Sequence, residues 1–501
     1  MTTRESQACP VPRAGVRAEP PDACPESGPP RNELGPIAPS YDHLHRIDLL
    51  AAARETCPTE PGSYESTVRA VFQAAEVCLL NLARLTDRSR QAVQARDFAT
   101  ASRLIQWSMG FHRLLRGLGR VSQEVQSLCG TTPRPGVRTV DIAETAGCQS
   151  YIDELRAFDD EVRCSLLVSD PLTVRATVAT RSIDDDLYRL LHGVRVCSHD
   201  ATKWESDLSG VPLPLEGDLN KLLSTGLLAD AVTWTELDPS TMHGEFVALH
   251  QVPEILTAES NDHLELAVRD VRSRSLSRAA SHLAVCNAVL GPMVEAQRVM
   301  AELLATGEYH GFRKNLGPAS GTHSLAIKQH MFKDLFKHFW NDVSKWLGPV
   351  GEGSLEGTIR AIDADRHRDS DSWLRHQVLH QAFRLHHTYQ EWRHEHLHMP
   401  RNCLGSGGTK SMIGVSDGPQ AVYKMRDAAN AQPSLNALHQ ARGMKLTSVV
   451  DCSPLTALLT DPTSVDAELM RVVGEATRDY FPEVQEQSYQ QFHMGAAERM
   501  P

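Results

Sequence analysis

A histidine-rich stretch between Asp371 and Met399 contains the residue type that proteins most often use to bind metal ions. Apolar residues recur there at every third or fourth position, which predicts an amphipathic helix with one face turned inward. His396 is the one histidine of the stretch on this face. The face consists of Leu374, Val378, Ala382, Leu385, Tyr389, Trp392, His396 and Met399. We expect the other histidines to be solvated on neighbouring or opposite faces: His376, His380, His386, His387, His394 and His398.

A histidine on an apolar helix face has three interpretations. It is most often a core residue whose ring is satisfied by a backbone carbonyl, because buried polar groups are normally paired. It also suits a five-coordinate heme, whose iron needs one imidazole held on its proximal side. Zinc is the third, since His376 and His380 have the i, i+4 spacing that chelates one ion, although no third ligand has an obvious spacing. The spacing of His396 leaves all three open.

Two further segments are rich in small residues. Residues 312–324 read FRKNLGPASGTHS and place Gly, Pro and Ser between helical stretches. This composition predicts an ordered turn whose amides and hydroxyls face a ligand. Residues 405–409 read GSGGT, and glycine amides can approach a ligand closely. Both segments are therefore candidate parts of a binding site.

Helical periodicity organises the chain that must position these segments. Apolar spacing predicts a long helix that ends near Thr306, followed by helices at 325–347, 355–366 and 371–399. Turn signals such as SDP and SGVPLP interrupt the middle of the chain, where VTWTEL at 232–237 alternates like a strand. We predict a disordered tail (1–38), a helical N-terminal unit (39–129), an insert of mixed or irregular structure (130–245), a helical catalytic domain (246–430) and a C-terminal helical tail (431–501).

Composition argues against two classes of partner. The 501 residues carry a formal net charge of -12, which provides no basic field for a nucleic-acid backbone. No stretch approaches the ~20 apolar residues that cross a bilayer, and the amino terminus lacks the apolar core of a signal peptide. The eleven cysteines never form a CxxC pair, as expected of reduced thiols. We predict a cytoplasmic protein that binds neither nucleic acid nor membrane.

Three segments between residues 312 and 409, in this order, resemble the superfamily of tryptophan 2,3-dioxygenase and indoleamine 2,3-dioxygenase, which includes monodechloroaminopyrrolnitrin synthase and heme-dependent tyrosine hydroxylases. Residues 392–396, WRHEH, are similar to the WRxxH of the proximal helix in that family. Residues 312–321 are similar to FRxxLxPASG, and residues 405–409 look like its GTGG or GSGG loop. A weaker likeness covers YDHLHRIDLLAAA at 41–53 and FQAAE at 72–76.

The resemblance implies a mainly α fold, a helical heme-oxygenase bundle of the tryptophan 2,3-dioxygenase type with a less regular insert, and heme b as cofactor. His396 would bind the iron, and Arg313 would hold the substrate carboxylate. The sequence departs from the family at Phe72, where the dioxygenases carry a distal histidine, and His323 could supply a polar catalytic group instead. Further cofactor contacts would come from Trp392, Ser320 and Gly321, and substrate contacts from Tyr309, Phe72, Gly405, Ser406, Gly407, Gly408 and Thr409.

The implied function is that of an oxidoreductase that uses dioxygen or hydrogen peroxide to insert oxygen into an aromatic amino acid or indole. A tryptophan-like substrate and a role in secondary metabolism are favoured, and the relatives are often homo-oligomers. Phe72 and the insert favour an alternative, a heme-dependent monooxygenase that hydroxylates tyrosine or a modified tryptophan. A non-catalytic heme sensor or interaction protein is an alternative of another class. Arg313 and the glycine loop argue against the sensor, because a gas sensor needs no carboxylate clamp.

Overall fold

Amphipathic helices dominate the described part of the chain, as the periodicity predicts. The computed structural model describes residues 40–56, 59–129, 139–168, 184–212, 217–232, 242–309, 324–327, 338–339 and 355–404. The helices are α1 Tyr41–Leu44, α2 Ile47–Glu55, α3 Tyr64–Gln94, α4 Phe98–Cys129, α5 Ala146–Val168, α6 Asp184–Asp207, α7 Leu219–Leu223, α8 Thr225–Val232, α9 His243–Arg272, α10 Leu276–Leu303, α11 Leu355–Asp365 and α12 Ser370–Leu404. Two short antiparallel strands, β1 Thr139–Val140 and β2 Val211–Pro212, and a 3-10 turn at Ile142–Glu144 complete the described elements. The mainly α prediction is confirmed for these residues.

Local sequence fixes where α3 begins and how closely this point approaches α9. Ser63 caps the helix, because its hydroxyl oxygen accepts a hydrogen bond from the Ser66 amide at 3.1 Å. Gly62 precedes the cap with a φ of +67°, and a Cβ there would lie 2.4 Å from Leu266 Cδ1 of α9. Only glycine combines this backbone conformation with this close approach. The α2–α3 connection is thereby seated on α9.

The hairpin of α9 and α10 lies between two hydrophobic cores. Its helices are joined by residues 273–275, and α10 also packs against α4 and α12. α10 contributes apolar residues to both cores, since Val289 belongs to one core and Leu290 to the other. The first core includes Phe72, Trp107, Tyr151, Trp204, Phe246 and Tyr309, and the second core includes Leu264, Met293, Ile359, Val378, Leu385 and Trp392.

The insert is largely helical where the structure describes it, not mixed or irregular. α5 packs against α3 and α6 packs against α4, so their apolar residues join the first core. The indole N–H of Trp204 donates to Nδ1 of His112 at 2.9 Å, and Nε2 of His112 lies 2.6 Å from the hydroxyl of Tyr151. The turn signals concealed these helices, because their stability comes from docking onto α3 and α4. Residues 233–237 of the predicted strand lie outside the described residues.

The helices next to the predicted loops agree with the spacing. α11 matches the prediction at 355–366, α10 ends near Thr306, and α12 continues beyond Met399 to Leu404. Of the helix predicted at 325–347, the structure describes only residues 325–327 and 338–339. None of the described helices combines the length and the apolarity that a membrane span requires.

Candidate functional site

His396 lies on the inward face of α12, as the sequence predicts. Its side chain is 3% exposed, and Trp392, one turn earlier, is also buried. The two ring centroids are 5.5 Å apart, and Trp392 in turn stacks on Tyr389 at 6.1 Å. Because side chains four residues apart share a helix face, the imidazole is the last member of an aromatic row. The row provides His396 with an apolar wall.

The neighbouring helix α10 supplies a polar partner for this imidazole. Nδ1 of His396 lies 3.3 Å from Oε1 of the buried Gln297. A carboxamide oxygen can only accept, so this contact requires the tautomer in which Nδ1 carries the proton. Nε2 then bears the lone pair that a metal ion needs. Nε2 of Gln297, in contrast, has no hydrogen-bond partner among the described residues.

Ion pairs fix α12 against α10 beside this contact. Arg298, which follows Gln297, forms ion pairs with Glu391 and Glu395 of α12, the second at 3.1 Å. Glu395 directly precedes His396, so the pairing acts on the turn that carries the imidazole. The orientation of His396 is therefore supported by the amide on one side and by charges on the other.

The remaining histidines of α12 separate into two groups. His387 and His394 are exposed, and His376, His380 and His398 are partly buried. The prediction for His386 was wrong, since this side chain is 1% exposed. Both α10 and α11 pack on α12, so the buried arc of the helix is wider than the apolar stripe alone indicates. Nδ1 of His376 lies 2.9 Å from the Asp363 carboxylate of α11, which gives that ring a structural partner.

The donor set around His396 fits a cofactor that takes one protein ligand. Within the described residues, no group of three or more His, Cys, Asp or Glu side chains is arranged to hold a metal ion. A heme iron needs only one imidazole, with a second-shell acceptor on its other ring nitrogen. The buried His396, its Gln297 acceptor and the orphaned amide nitrogen beside them fit this requirement.

The structure distributes the other predicted site residues between its two cores. Phe72 and Tyr309 are buried in the first core, whereas Trp392 belongs to the second. The remaining predicted site residues lie outside the described residues: Arg313, Ser320, Gly321, His323, Gly405, Ser406, Gly407, Gly408 and Thr409. The contacts of these residues therefore stay predictions.

Residues 324–327, which begin at the end of the predicted 312–324 turn, contact α9. Nδ2 of Asn261 donates to the Ala326 carbonyl at 3.2 Å, and Ser324 is fully buried. About three turns before Asn261, α9 carries His250, whose ring stacks on His45 of the α1–α2 connection with centroids 4.6 Å apart. Burial lowers the pKa of His250 to about 4, so the ring is neutral at physiological pH.

A carboxyl group on the same helix has an unusual environment. Oε1 of Glu254 accepts a hydrogen bond of 2.6 Å from the hydroxyl of Tyr41, 213 residues away in the chain. Burial raises the pKa of Glu254 to about 7, since the charged form loses its hydration. This carboxyl also lines a cavity of about 500 Å³ between α2, α3 and α9. Neither Glu254 nor the cavity was predicted from the sequence, because α9 is remote in the chain from α1, α2 and α3.

Comparison with known proteins adds no family assignment to this geometry. No protein-family model matches the chain, and no curated protein matches it. The site is therefore interpreted from its own residues, together with the likeness of the three sequence segments.

Proposed function

We propose that this protein is a heme-dependent oxidoreductase that inserts oxygen into an aromatic amino acid or an indole, with His396 as the axial ligand of heme b. The observation that carries the proposal is the contact between Nδ1 of the buried His396 and Oε1 of Gln297. The likeness of residues 392–396 to the WRxxH of the tryptophan 2,3-dioxygenase superfamily also supports His396 as the iron ligand.

His396, Gln297, Trp392 and Tyr389 would each contribute to heme binding. His396 would hold the iron through Nε2, while Gln297 keeps the proton on Nδ1 and fixes the plane of the ring. Trp392 and Tyr389 would keep water from the ring, which maintains a low dielectric around the ligand. The bound heme would supply the activation of dioxygen or of a peroxide for insertion into the aromatic ring.

Substrate binding rests on residues that the resemblance assigns. Arg313 would hold the substrate carboxylate through a bidentate charge-assisted hydrogen bond, and the glycine loop at 405–409 would cover the bound substrate. Next to this predicted loop, Asn261 of α9 donates to the Ala326 carbonyl, and the Ser324 hydroxyl accepts from the Ile327 amide.

The test is an absorption spectrum of the purified protein after expression with ample hemin, oxidised and reduced. We expect a heme spectrum in the wild type and its loss in His396→Ala. His394→Ala is the matched control, since it removes an exposed imidazole two residues away on the same helix. A colourless wild-type protein, or a His396→Ala variant with the full spectrum, would refute the proposal.

Product analysis then tests the reaction. Incubation with tryptophan, tyrosine and indole derivatives, with dioxygen and a reductant or with peroxide, should yield an oxygenated aromatic product. Two inserted oxygen atoms indicate dioxygenation with ring opening, and one indicates hydroxylation. Heme binding without any product, and a heme spectrum that aromatic amino acids leave unchanged, would instead support a heme sensor.

A further inference from the structure

The cavity between α2, α3 and α9 has the size of a small-molecule site. Its volume is about 500 Å³, within the range of roughly 300–1,000 Å³ found for ligand pockets. α2 and α3 supply Ile47, Leu50 and Ala70, and α9 supplies Ile255 and Ala258. Leu325 extends this lining from the segment that follows the predicted binding loop. One side of the cavity is therefore apolar and suits a hydrocarbon or aromatic body.

Carboxylates outnumber cations on the polar side. The acidic lining residues are Asp42, Glu55, Glu254, Glu259 and Asp262, against the two guanidinium groups of Arg54 and Arg69. Arg54 already pairs with Asp262 and lies 3.7 Å from Glu259. Its charge is thus shared between two carboxylates. With all groups ionised, the lining has a formal excess of carboxylates that the two guanidinium groups offset only in part, although Asp42 and Glu55 are exposed to solvent.

Glu259 has two hydroxyl donors from the protein, whereas Glu254 has only neutral donors such as Tyr41, and Asp262 shares the charge of Arg54 with Glu259. Its two oxygens accept hydrogen bonds from Ser66 at 2.7 Å and Thr67 at 2.9 Å. The hydroxyl of Thr67 also lies 2.7 Å from Nε2 of the buried His263. Glu254 and Asp262 differ, since burial raises the pKa of both carboxyl groups. A nearby positive charge would stabilise their ionised forms.

The uncharged side chain of Gln73 supplies a hydrogen-bond acceptor whose orientation is fixed. Nε2 of Gln73 donates to the carbonyls of Ala53 at 3.1 Å and Leu223 at 3.2 Å. Because both partners can only accept, the amide cannot flip, and Oε1 must occupy the other position. This oxygen accepts no hydrogen bond from the described residues, although Gln73 is 3% exposed and lines the cavity. This oxygen is therefore open to a donor from a ligand or from water.

We propose that this cavity binds a small organic amine, with its ammonium group directed to Gln73, Glu254 and Asp262 and its apolar body against Ile47, Leu50 and Ile255. An ammonium group has three donors and a positive charge, which matches a preoriented oxygen and two undercompensated carboxylates. An anion would be repelled by the excess of carboxylates. Neither His396 nor Gln297 lines this cavity, so the proposal does not depend on the proposed oxygenase function.

The experiment is isothermal titration of the full-length protein above the pKa of Glu254 with a series of primary amines: 2-phenylethylamine, tryptamine and hexylamine. Each amine is compared with the alcohol of the same carbon skeleton, which keeps the apolar body and removes the charge. We expect at least one amine to bind about tenfold or more tightly than its alcohol, as one charge-assisted contact allows. The binding should persist in His396→Ala, which separates this site from the proposed heme site.

Three variants locate the binding. Asp262→Asn should weaken the amine about tenfold or more, whereas Glu265→Gln, an exposed position on the same helix, should leave it unchanged. Ala51→Trp should abolish binding, because Ala51 is exposed at the mouth of the cavity and a large side chain there would close it. Because Ala51 is exposed, we expect Ala51→Trp to fold even if Asp262→Asn does not. Circular dichroism would show whether each variant is folded.

The proposal is overturned if no amine of the series binds more tightly than its alcohol, if 3-phenylpropanoate binds as tightly as 2-phenylethylamine, or if Ala51→Trp binds the amine as the wild type does.

Discussion

Oε1 of Gln297 lies 3.3 Å from Nδ1 of His396, so α10 determines the orientation of an imidazole on α12. Such an acceptor fixes the tautomer and strengthens the other ring nitrogen as a metal ligand. If His396 binds heme, Gln297→Leu should lower hemin affinity about 10–100-fold, as the loss of an outer-shell partner does at other metal sites. Gln297→Glu should retain the heme and lower its reduction potential, because a carboxylate is the stronger acceptor.

Hemin titration and spectroelectrochemistry measure these two effects. His394→Ala is the control, since it removes an exposed imidazole of the same helix and leaves the contact between Gln297 and His396 in place. Its hemin affinity should remain close to that of the wild type. Equal affinities of Gln297→Leu and the wild type would remove Gln297 from the site.

The hydrogen-bonded group of His112, Tyr151 and Trp204 should contribute strongly to stability. Because the Trp204 N–H can only donate, Nδ1 of His112 is the acceptor and Nε2 carries the proton toward the Tyr151 oxygen. His112→Leu would leave two buried polar groups without a partner, at about 1–3 kcal/mol each. Urea denaturation should show this loss, while His199→Leu on the exposed side of α6 should stay within about 0.5 kcal/mol of the wild type. Equal stability of the two variants would contradict the assignment.

Glycine at position 147 is required by a close contact with Glu76. The amide of Gly147 donates to Oε1 of Glu76 at 2.7 Å, and a Cβ at this position would lie 2.8 Å from the carboxyl carbon. Gly147→Ala should therefore cost about 1–3 kcal/mol, because the buried carboxylate must move. Gly226→Ala is the matched control, since Gly226 is also helical and its Cβ would meet nothing within 4 Å. Thermal unfolding should show a lower Tm for Gly147→Ala and an unchanged or higher Tm for Gly226→Ala.

Stability should fall as the pH decreases below the ordinary histidine pKa. Burial lowers the pKa of His112 to about 3, of His250 to about 4 and of His282 to about 4, against an unfolded value of 6.5. Between pH 6.5 and 4 the unfolded chain therefore binds more protons than the folded one, and protonation favours unfolding. Glu254 acts in the opposite direction, since its folded pKa of about 7 exceeds the unfolded value of 4.5 and favours the folded state at low pH.

Burial also raises the pKa of Glu76 and Asp262, which acts in the same direction as Glu254. We expect the three histidines to outweigh these carboxyl groups and to give a net loss of stability, since a pKa difference of one corresponds to about 1.4 kcal/mol. Urea denaturation at pH 7.5 and pH 5 measures the sum. His250→Phe should reduce the difference between the two pH values, while substitution of the exposed His199 by Phe should not. A protein that is more stable at pH 5 would contradict the assignment.

Several features of the fold follow from periodicity. The row from Val378 to His396 is buried as predicted, because the position of a side chain around a helix depends only on its place in the sequence. His386 shows the limit of this reasoning, since its burial depends on how much of α12 the helices α10 and α11 cover. The helices α5 and α6 show the same limit, because docking onto α3 and α4 stabilises them.

The sequence by itself determined that the described chain is helical and that one histidine of α12 faces inward, since both are consequences of a repeat of 3.6 residues. Only the tertiary structure decided that Gln297 meets His396, that Tyr41 meets Glu254, and that α2, α3 and α9 enclose a cavity. These contacts join residues about 100 to more than 200 positions apart. Local propensity contains no information about such pairs, which form only when the hydrophobic faces of remote helices pack together.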